Sequence, residues 1–533
     1  MAPLANDGQV VLAALLAATA HDPLAVPAVL SRIRGPWALV YWQPALRRLW
    51  FGRDAIGRRS LLLCLPRPGD ARLVLTSVGP LPPAAPLGDL VEVPPGLHSF
   101  DFAVLDDGGG LPTSYCSHAW TDAELIRLSA FQRPLRLVQP PDDNGTGATA
   151  ELAAAADMLL VALRRAVATR CRCIVRPQCD GGRGCSNQSP LLGRERFKGE
   201  AAAVAAESPA PAGQQDPDTA PVLILFSGGV DSALLAALTH EALPPEAPID
   251  LVSVCFDGGR SPDRCAALDA LAELRAACPG RRWRLIKADC SLADVDAIRP
   301  RLEALLSPQL TVMDANIGAA LWLAARGTGV LHQKAAAGRC SAEPPGGSCD
   351  GGDGSVGPDG GGSYYTSAAR IVLLGHGADE LCGGYGRHRT RFREAGWVGL
   401  GDELALDTRR LWLRNLGRDD RVVADHGREG RHPYLDEQVV GTALGLPLRA
   451  LADLRLPPGA GDKRALRACA ARLGLPRAAA RVKRAIQFGT RLGQQANRRD
   501  FGSGRRANAC SGGSMQLAEL QRQGNSGQGW SEG

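Results

Sequence analysis

The chain has 533 residues, of which 45% are hydrophobic and 22% charged, values ordinary for a globular protein. Its net charge is +6, but 61 basic residues face 55 acidic ones, so no nucleic-acid partner is expected. No apolar run approaches the length of a membrane span. Fifteen cysteines without a regular framework argue against a disulfide scaffold and predict free thiols in a reducing, cytoplasmic compartment.

Residues 1–135 are predicted to form a first domain with one helix and several short strands. The apolar segment 9–20 follows Asp7 and has no basic residue before it, so a buried helix is favoured over a signal peptide. Apolar runs bounded by turn residues predict strands at 38–42, 49–52, 72–77 and 90–93, the first two as a hairpin.

A connecting segment, 136–171, contains apolar residues at helical spacing over 152–168. From 172 to 220 the composition changes to Gly, Arg, Ser, Pro and Gln, which predicts a disordered insertion. This boundary carries a cysteine cluster, Cys171, Cys173, Cys179 and Cys185. The spacing lacks paired C-x-x-C knuckles, so a zinc site there is disfavoured but stays open.

Strands and helices alternate from residue 221 onward. Strands are predicted at 222–226, 250–256, 283–288 and 371–374, with helices at 233–241 and 265–277. This alternation predicts an α/β domain with a doubly wound parallel sheet over 221–492. A low-complexity insert, 335–367, interrupts it, and a polar, Gly-rich tail, 493–533, is predicted to be disordered.

The segment LILFSGGVDSALLAAL, residues 223–238, joins a buried strand to a helix through a glycine loop. Glycines let the backbone approach an anion, and a helix N-terminus offers free N–H groups and a positive dipole. The loop is not a Walker motif, because Gly-Lys-Ser/Thr is absent. The alternative is an ordinary capped turn. The candidate phosphate-binding residues are Ser227, Gly228, Gly229, Val230, Asp231 and Ser232.

A second strand-loop segment, LLGHGADELCGGY, spans residues 373–385. Gly375 and Gly377 provide the loop, and Asp379 and Glu380 stand at its end. Two adjacent carboxylates near a pyrophosphate are explained by Mg²⁺, with Asp231 as a further ligand. Helix-capping acids are the alternative.

These loops resemble those of the ATP-pyrophosphatase family, and the second is similar to the G-x-G-x-D-E loop of asparagine synthetases. The similarity continues at 418–436, 461–467 and 483–489. It implies ATP and Mg²⁺ as cofactors, and it implies that Lys463 and Lys483 support the phosphates and the adenylation step. The implied substrates are ATP, aspartate and ammonia or glutamine, and a homodimer is possible. The implied reaction forms asparagine, AMP and pyrophosphate.

Segments 33–42 and 49–63 resemble the class II glutamine amidotransferase domain, which implies an Ntn-type αββα fold. Such domains use an N-terminal cysteine whose own α-amine is the base. Here residue 2 is Ala and the first cysteine is Cys64. Asp7, just before the predicted helix, is the residue whose position matches the glutamine site. We expect either a truncated start or a lost glutaminase, and no glutamine hydrolysis from the chain as it stands.

One departure concerns the synthetase chemistry itself. His376 stands where asparagine synthetases have a Glu that is thought to transfer a proton when ammonia attacks the acyl-adenylate. An imidazole can act as a general base near neutral pH. Three hypotheses stay open: an ATP-dependent amide ligase, a nucleotide-binding pseudo-enzyme or scaffold, and a tRNA-modifying ATP-pyrophosphatase.

Overall fold

The computed structural model describes residues 7–80, 89–103, 115–139, 146–172, 218–333 and 362–520. Nearly all of the predicted insertion at 172–220 lies outside these ranges, as does most of the insert at 335–367. Cys173, Cys179 and Cys185 also lie outside them, so the proposed cysteine cluster cannot be placed. Cys171 is a buried free thiol. No helix in the described ranges is long and apolar enough to cross a membrane.

The N-terminal part consists of two small antiparallel sheets with flanking helices. Their strand orders are β1-β2-β6-β7 and β4-β3-β5. The elements are α1 (Asp7–His21), α2 (Val26–Leu30), β1 (Ala38–Gln43), β2 (Arg48–Arg53), β3 (Leu62–Cys64), β4 (Val74–Thr76), β5 (Val91–Glu92), β6 (Gly96–Asp101), β7 (Cys116–His118), α3 (Ala123–Ala130) and α4 (Leu135–Val138).

The predicted hairpin is confirmed, since β1 pairs with β2 from Ala38–Arg53 to Gln43–Arg48. The predicted burial of the first helix is wrong. In α1 only Leu15 is buried, whereas Leu12 and Leu16 are exposed. The apolar side chains of α1 lie on all of its faces, so only one stripe of them packs on the core and the others are exposed.

The long helix α5 (Thr146–Cys171) connects the two parts, and the larger part follows. Its strands are β8 (Val222–Leu225), β9 (Ile249–Cys255), β10 (Trp283–Asp289), β11 (Thr328–Leu331), β12 (Tyr364–Thr366), β13 (Ile371–Leu373) and β14 (Glu429–Arg431). Its helices are α6 (Val230–Ala242), α7 (Pro262–Ala277), α8 (Leu292–Leu306), α9 (Val312–Ala325), α10 (Ala378–Cys382), α11 (Gly386–Leu411), α12 (Gly417–Ala424), α13 (Glu437–Gly445), α14 (Leu448–Leu451), α15 (Arg464–Arg472), α16 (Pro476–Ala480), α17 (Ile486–Gly489), α18 (Leu492–Phe501) and α19 (Gly504–Ala509).

These strands form one seven-stranded sheet in the order β12-β11-β10-β9-β8-β13-β14. The four predicted strands, β8, β9, β10 and β13, are parallel, which confirms the prediction. Three strands were not predicted: β14 extends the parallel part, whereas β11 and β12 add an antiparallel edge. The insert predicted at 335–367 ends in the strand β12, where Tyr364 and Tyr365 pair with residues of β11.

Helices cover both faces of the sheet. Val222 and Ile224 belong to the core on one face, while Leu223 belongs to the core on the other. Alternate residues of a strand point to opposite faces, and a parallel sheet buried on both faces needs apolar residues throughout. This explains the continuous hydrophobic run before the first glycine loop.

The prediction of a disordered tail is wrong for residues 493–520. Phe501, in α18, is completely buried and packs with Val312 and Leu517. The backbone continues the contact, because Leu517 N–H donates to Leu310 O at 2.9 Å and Val312 N–H donates to Met515 O at 3.0 Å. A few apolar side chains in a polar segment are enough to dock it. Residues 521–533 lie outside the described ranges.

Buried ion pairs join the N-terminal part to the larger part. Arg58 donates to Glu437 at 2.5 Å, to Leu435 O at 2.8 Å and to Asp54 at 3.0 Å. Arg421 donates to Glu92 and Ser60 Oγ, both at 2.7 Å. We refer to Arg58, Asp54, Glu437, Arg421 and Glu92 as the interdomain ion pairs.

Candidate functional site

The first glycine loop lies between the end of β8 and the start of α6, with Gly229 as the residue that precedes the helix. Gly228 has φ +74°, and a Cβ there would lie 2.2 Å from backbone atoms of Ala266. Only glycine fits at that position. A Cβ on Gly229 would instead meet only Ser227 Oγ at 3.5 Å. The loop is therefore packed on one side and open on the other.

Two serine hydroxyls are oriented by the loop itself. Ser232 Oγ donates to Gly229 O at 3.2 Å and lies 3.5 Å from Ser227 Oγ. Val230 is the first residue of α6 and is buried. The helix begins at this point, so its N-terminal N–H groups and the hydroxyls together offer hydrogen-bond donors to an anion.

Lys463 brings the two glycine loops together. Its ammonium Nζ lies 2.6 Å from Asp231 Oδ2 and 2.7 Å from Asp379 Oδ1, and the residue is completely buried. Burial alone would lower the pKa of Lys463, but the carboxylates of Asp231 and Asp379 raise it above its ordinary value. Lys463 thus stays charged, and its position is under strain because its φ is +54°.

Lys483 makes the second contact to the same carboxylate. Its Nζ donates to Asp379 Oδ2 at 2.7 Å. Although burial opposes ionisation, Lys463 and Lys483 hold the pKa of Asp379 well below its usual range. The site therefore pairs two lysines with two aspartates, and each of these four residues is one that the sequence predicted.

The donor set fits a magnesium ion at Asp231 and Asp379. Asp231 Oδ1 is buried and has no hydrogen-bond partner in the described ranges, and Asp379 Oδ1 makes only its ion pair with Lys463 there. No group of three or more His, Cys, Asp or Glu is placed to hold a metal in that part of the chain. Magnesium keeps several waters and is commonly held by one or two carboxylates plus phosphates, so two ligands suffice.

The third predicted metal ligand, Glu380, is turned away from this pair. It accepts from Tyr385 Oη at 2.6 Å and from Gly377 N–H at 3.2 Å. Burial and the charge of Asp379 raise the pKa of Glu380. Here the capping alternative accounts for the geometry, because Glu380 bonds the backbone at the start of α10.

Half of the predicted site residues line one cavity of about 130 Å³. Its polar wall is formed by Ser227, Asp231, Ser232, Gly375, His376, Asp379 and Lys483, and its apolar wall by Phe226, Val254, Leu321, Ala324 and Leu374. An adjacent cavity shares Ser227, Asp231 and Lys483 and adds Gly229, Val230 and Lys463. A polar end beside an apolar wall suits a ligand with phosphates and a flat base.

His376 lies on the second glycine loop, beside a buried aspartate. Its Nδ1 is 3.1 Å from Asp419 Oδ2. The loop is held close to the first one, since a Cβ on Gly375 would lie 3.3 Å from Asp231 Cβ. Gly377 has φ +97° and packs against Leu435, which explains the need for glycine there.

Three polar residues of this site were not among the predicted site residues. Asp263 lines both cavities, and burial raises its pKa to about 7. Tyr434 Oη donates to Asp231 O at 2.9 Å and so supports the first loop. Asp419 faces His376. The S-P-D and R-D-D-R sequences that contain Asp263 and Asp419 were the available signals, but their tertiary neighbours come from distant segments. The predicted glutamine-site residue, Asp7, is exposed at the start of α1.

Comparison with known proteins agrees with this architecture. The sequence profile of the asparagine synthase family matches residues 215–278 and 393–503, which contain the first glycine loop and both lysines. A mouse protein named asparagine synthetase domain-containing protein 1 is 30% identical over 582 residues, covering 91% of this chain and 82% of the relative. Its chicken counterpart is 31% identical, covering 87% and 79%.

A shorter match is stronger locally. A putative glutamine-hydrolyzing asparagine synthetase 1 of Methanocaldococcus jannaschii is 48% identical over 79 residues, or 15% of each chain. The α/β fold and the matched segments define an asparagine synthase-type domain. Within that class, the chain belongs to the family of asparagine synthetase domain-containing protein 1.

Proposed function

We propose that this protein is an ATP-dependent amide ligase that converts aspartate to asparagine. A side-chain carboxylate oxygen of aspartate attacks the α-phosphorus of ATP, which forms aspartyl-AMP and releases pyrophosphate. Ammonia then attacks the acyl carbon, and AMP leaves as one proton is lost. The first half needs cationic groups beside the phosphates, and the second half needs a proton acceptor near the incoming nitrogen.

The observation that carries the proposal is the position of Lys463 between the two glycine loops. It pairs Asp231 with Asp379 at 2.6 and 2.7 Å in a completely buried position. A buried lysine that is held charged, with Lys483 beside it, can stabilise negative charge that develops on the phosphates. The ATP-pyrophosphatase fold that we propose for this part places such loops at the carboxyl ends of parallel strands.

Asp231 and Asp379 would hold Mg²⁺, with the phosphates completing its coordination. The ion would neutralise phosphate charge. Ser227, Gly228, Gly229 and Ser232 would hold the phosphates themselves. Glu380 would orient the second loop from behind through Gly377, rather than bind the metal directly.

His376 would take up the proton lost when ammonia attacks. It lines the same cavity as Asp231 and Asp379, and its side chain is 26% exposed. A neutral imidazole has one nitrogen that can accept this proton. In this role it replaces the Glu expected from the family resemblance.

The N-terminal part is proposed to have an Ntn-type fold like that of glutamine amidotransferases. Its two antiparallel sheets support this proposal. Cys64 is buried in β3, which does not suit a nucleophile that must reach glutamine, and we propose free ammonia as the nitrogen donor. The ten free cysteines of the described ranges support a reducing, cytoplasmic location.

The test is pyrophosphate release from the purified chain with Mg-ATP and aspartate, comparing ammonia with glutamine. We expect release with ammonia and none above background with glutamine, and we expect Asp231→Ala to abolish it. Asparagine formation is measured in parallel. Absence of aspartate-dependent release, despite ATP binding, would contradict the proposal.

A nucleotide-binding protein without ligase activity is the second candidate. It is favoured by the contacts of Asp379, whose two oxygens are both occupied by lysines at 2.7 Å. If these ion pairs persisted with Mg-ATP bound, Asp379 would not reach a metal. Binding without pyrophosphate release is the outcome that this candidate predicts.

A further inference from the structure

The buried residue Asp419 lies beside His376, in a contact that the predicted chemistry does not account for. His376 Nδ1 and Asp419 Oδ2 lie 3.1 Å apart, and each atom is buried without a hydrogen-bond partner in the described ranges. The separation suits a hydrogen bond, which forms once the ring turns to direct its Nδ1–H at the carboxylate. A phosphate-binding glycine loop does not itself require a buried carboxylate next to its histidine.

The charges around Asp419 indicate which member of this pair donates the hydrogen bond. Asp419 is completely buried, and its Oδ1 accepts from Arg418 Nε at 2.9 Å. Arg418 also donates to Asp314 Oδ1 at 2.7 Å. One guanidinium between two carboxylates leaves an excess of negative charge, and a donor from His376 Nδ1 would compensate for it.

A second histidine, His432, lies behind His376, with ring centroids 5.7 Å apart. It is buried, and burial together with nearby positive charges lowers its pKa well below the ordinary value. His432 is therefore neutral and does not compete with His376 for Asp419 as a charged donor.

We infer that Asp419 is a positioning residue that holds His376 in the tautomer with hydrogen on Nδ1 and a free lone pair on Nε2. Nδ1 is the ring nitrogen that lies 3.1 Å from Asp419, and His376 also lines the candidate nucleotide cavity, so Nε2 is the nitrogen left for an incoming amine. A carboxylate that fixes the tautomer of a catalytic histidine acts in this way in hydrolytic triads. The inference rests on the proposed amide ligase for its kinetic consequences, but the tautomer itself does not.

The variant that tests this is Asp419→Asn, with Asp314→Asn as its matched control. Both remove one carboxylate from Arg418, but only Asp419 faces His376. The amide of the new side chain can donate to Nδ1, which favours the opposite tautomer. We expect Asp419→Asn to lower asparagine formation about 100-fold or more and Asp314→Asn to lower it by less than about threefold.

The first half-reaction separates positioning from damage to the fold. Aspartate-dependent exchange of pyrophosphate into ATP precedes ammonia attack, so it should stay within about threefold of the natural protein in Asp419→Asn. In a His376→Ala background, Asp419→Asn should add nothing further. Equal losses in both half-reactions, or full additivity in the double variant, would overturn the inference.

A measurement on the ring itself needs no turnover. The ¹⁵N chemical shifts of His376, assigned by comparison with His376→Gln, report which ring nitrogen carries hydrogen. We expect Nδ1–H in the natural protein and in Asp314→Asn, and Nε2–H in Asp419→Asn. The same tautomer in all three would overturn the inference. If exchange is absent from the natural protein, the ligase proposal fails while this measurement still decides the role of Asp419.

Discussion

The interdomain ion pairs and the candidate site both bury several charges, but they satisfy them differently. Arg58 uses all three of its nitrogens on Asp54, Glu437 and Leu435 O. In the site, by contrast, Asp231 Oδ1 and Asp419 Oδ2 lack hydrogen-bond partners within the described ranges. Buried polar atoms that are left unpaired are costly. The first region is therefore built for stability. In the second, Asp231 Oδ1 is open to a ligand, whereas the free oxygen of Asp419 faces His376.

The largest effect is expected at the interdomain ion pairs. Arg58→Met leaves the carboxylates of Asp54 and Glu437 buried without their partner, which should cost about 3–5 kcal/mol of unfolding free energy. Denaturant unfolding followed by circular dichroism measures it. Glu437→Gln in the same background should recover part of the loss, since it removes one unpaired charge. A loss below about 1 kcal/mol for Arg58→Met alone would show that the interdomain ion pairs do not stabilise the fold.

The opposite result is expected for Asp231→Asn in the site. Lys463 keeps its ion pair with Asp379, so the free energy of unfolding should change by less than about 1 kcal/mol. Pyrophosphate release should fall by about 100-fold or more, because the carboxylate that we propose as a magnesium ligand is lost. Unfolding and release are measured on the same preparation. Severe destabilisation with normal release would reverse the comparison between the two regions.

Adjacent glycines sharpen the comparison within one loop. Gly228→Ala must move the backbone of Ala266, 2.2 Å from the added Cβ, and should lower the melting temperature strongly. Gly229→Ala meets only Ser227 Oγ at 3.5 Å and should fold normally. It would still crowd the open side of the loop, so its affinity for ATP should fall about tenfold. Equal stability of both variants would contradict the described packing.

The smallest effect concerns pH and Asp263. Burial raises its pKa from 3.8 to about 7, so the folded state binds this proton more tightly than the unfolded state does. Its contribution to stability is therefore favourable at low pH and is lost as the pH rises from about 4 to about 7. Asp263→Asn should remove this loss and gain on the order of 2 kcal/mol above pH 7. The gain should vanish at pH 4, and a difference that does not change with pH would show that the buried carboxylate of Asp263 is not its source.

The parallel sheet and the first glycine loop followed from the sequence because local patterns determine them. A continuous apolar strand, two glycines and a helix start occupy residues 222–242 without a break. The second loop also follows a predicted strand, and Lys463 contacts both its Asp379 and Asp231 of the first loop. Lys463 and Lys483 were identified through resemblance, since neither lysine has a local pattern of its own.

The remaining features depend on contacts that local sequence does not encode. Glu380 is adjacent to Asp379, yet the start of α10 turns the two side chains in different directions. Asp419 and His376 are far apart in sequence but lie 3.1 Å from each other, and the tail docks through a few apolar side chains such as Phe501 and Leu517. The exposed face of α1 was missed for the opposite reason, because apolar composition does not say which stripe meets a core.

We propose that the unpaired Oδ1 of Asp231 marks a place for Mg-ATP, and the proposed ligase activity depends on this. Isothermal titration calorimetry of the full chain with ATP, with and without Mg²⁺, tests it most directly. We predict saturable binding that weakens when Mg²⁺ is omitted and at least about tenfold weaker binding by Asp231→Asn. Binding that is indifferent to both changes, or no binding by the natural chain, would contradict it.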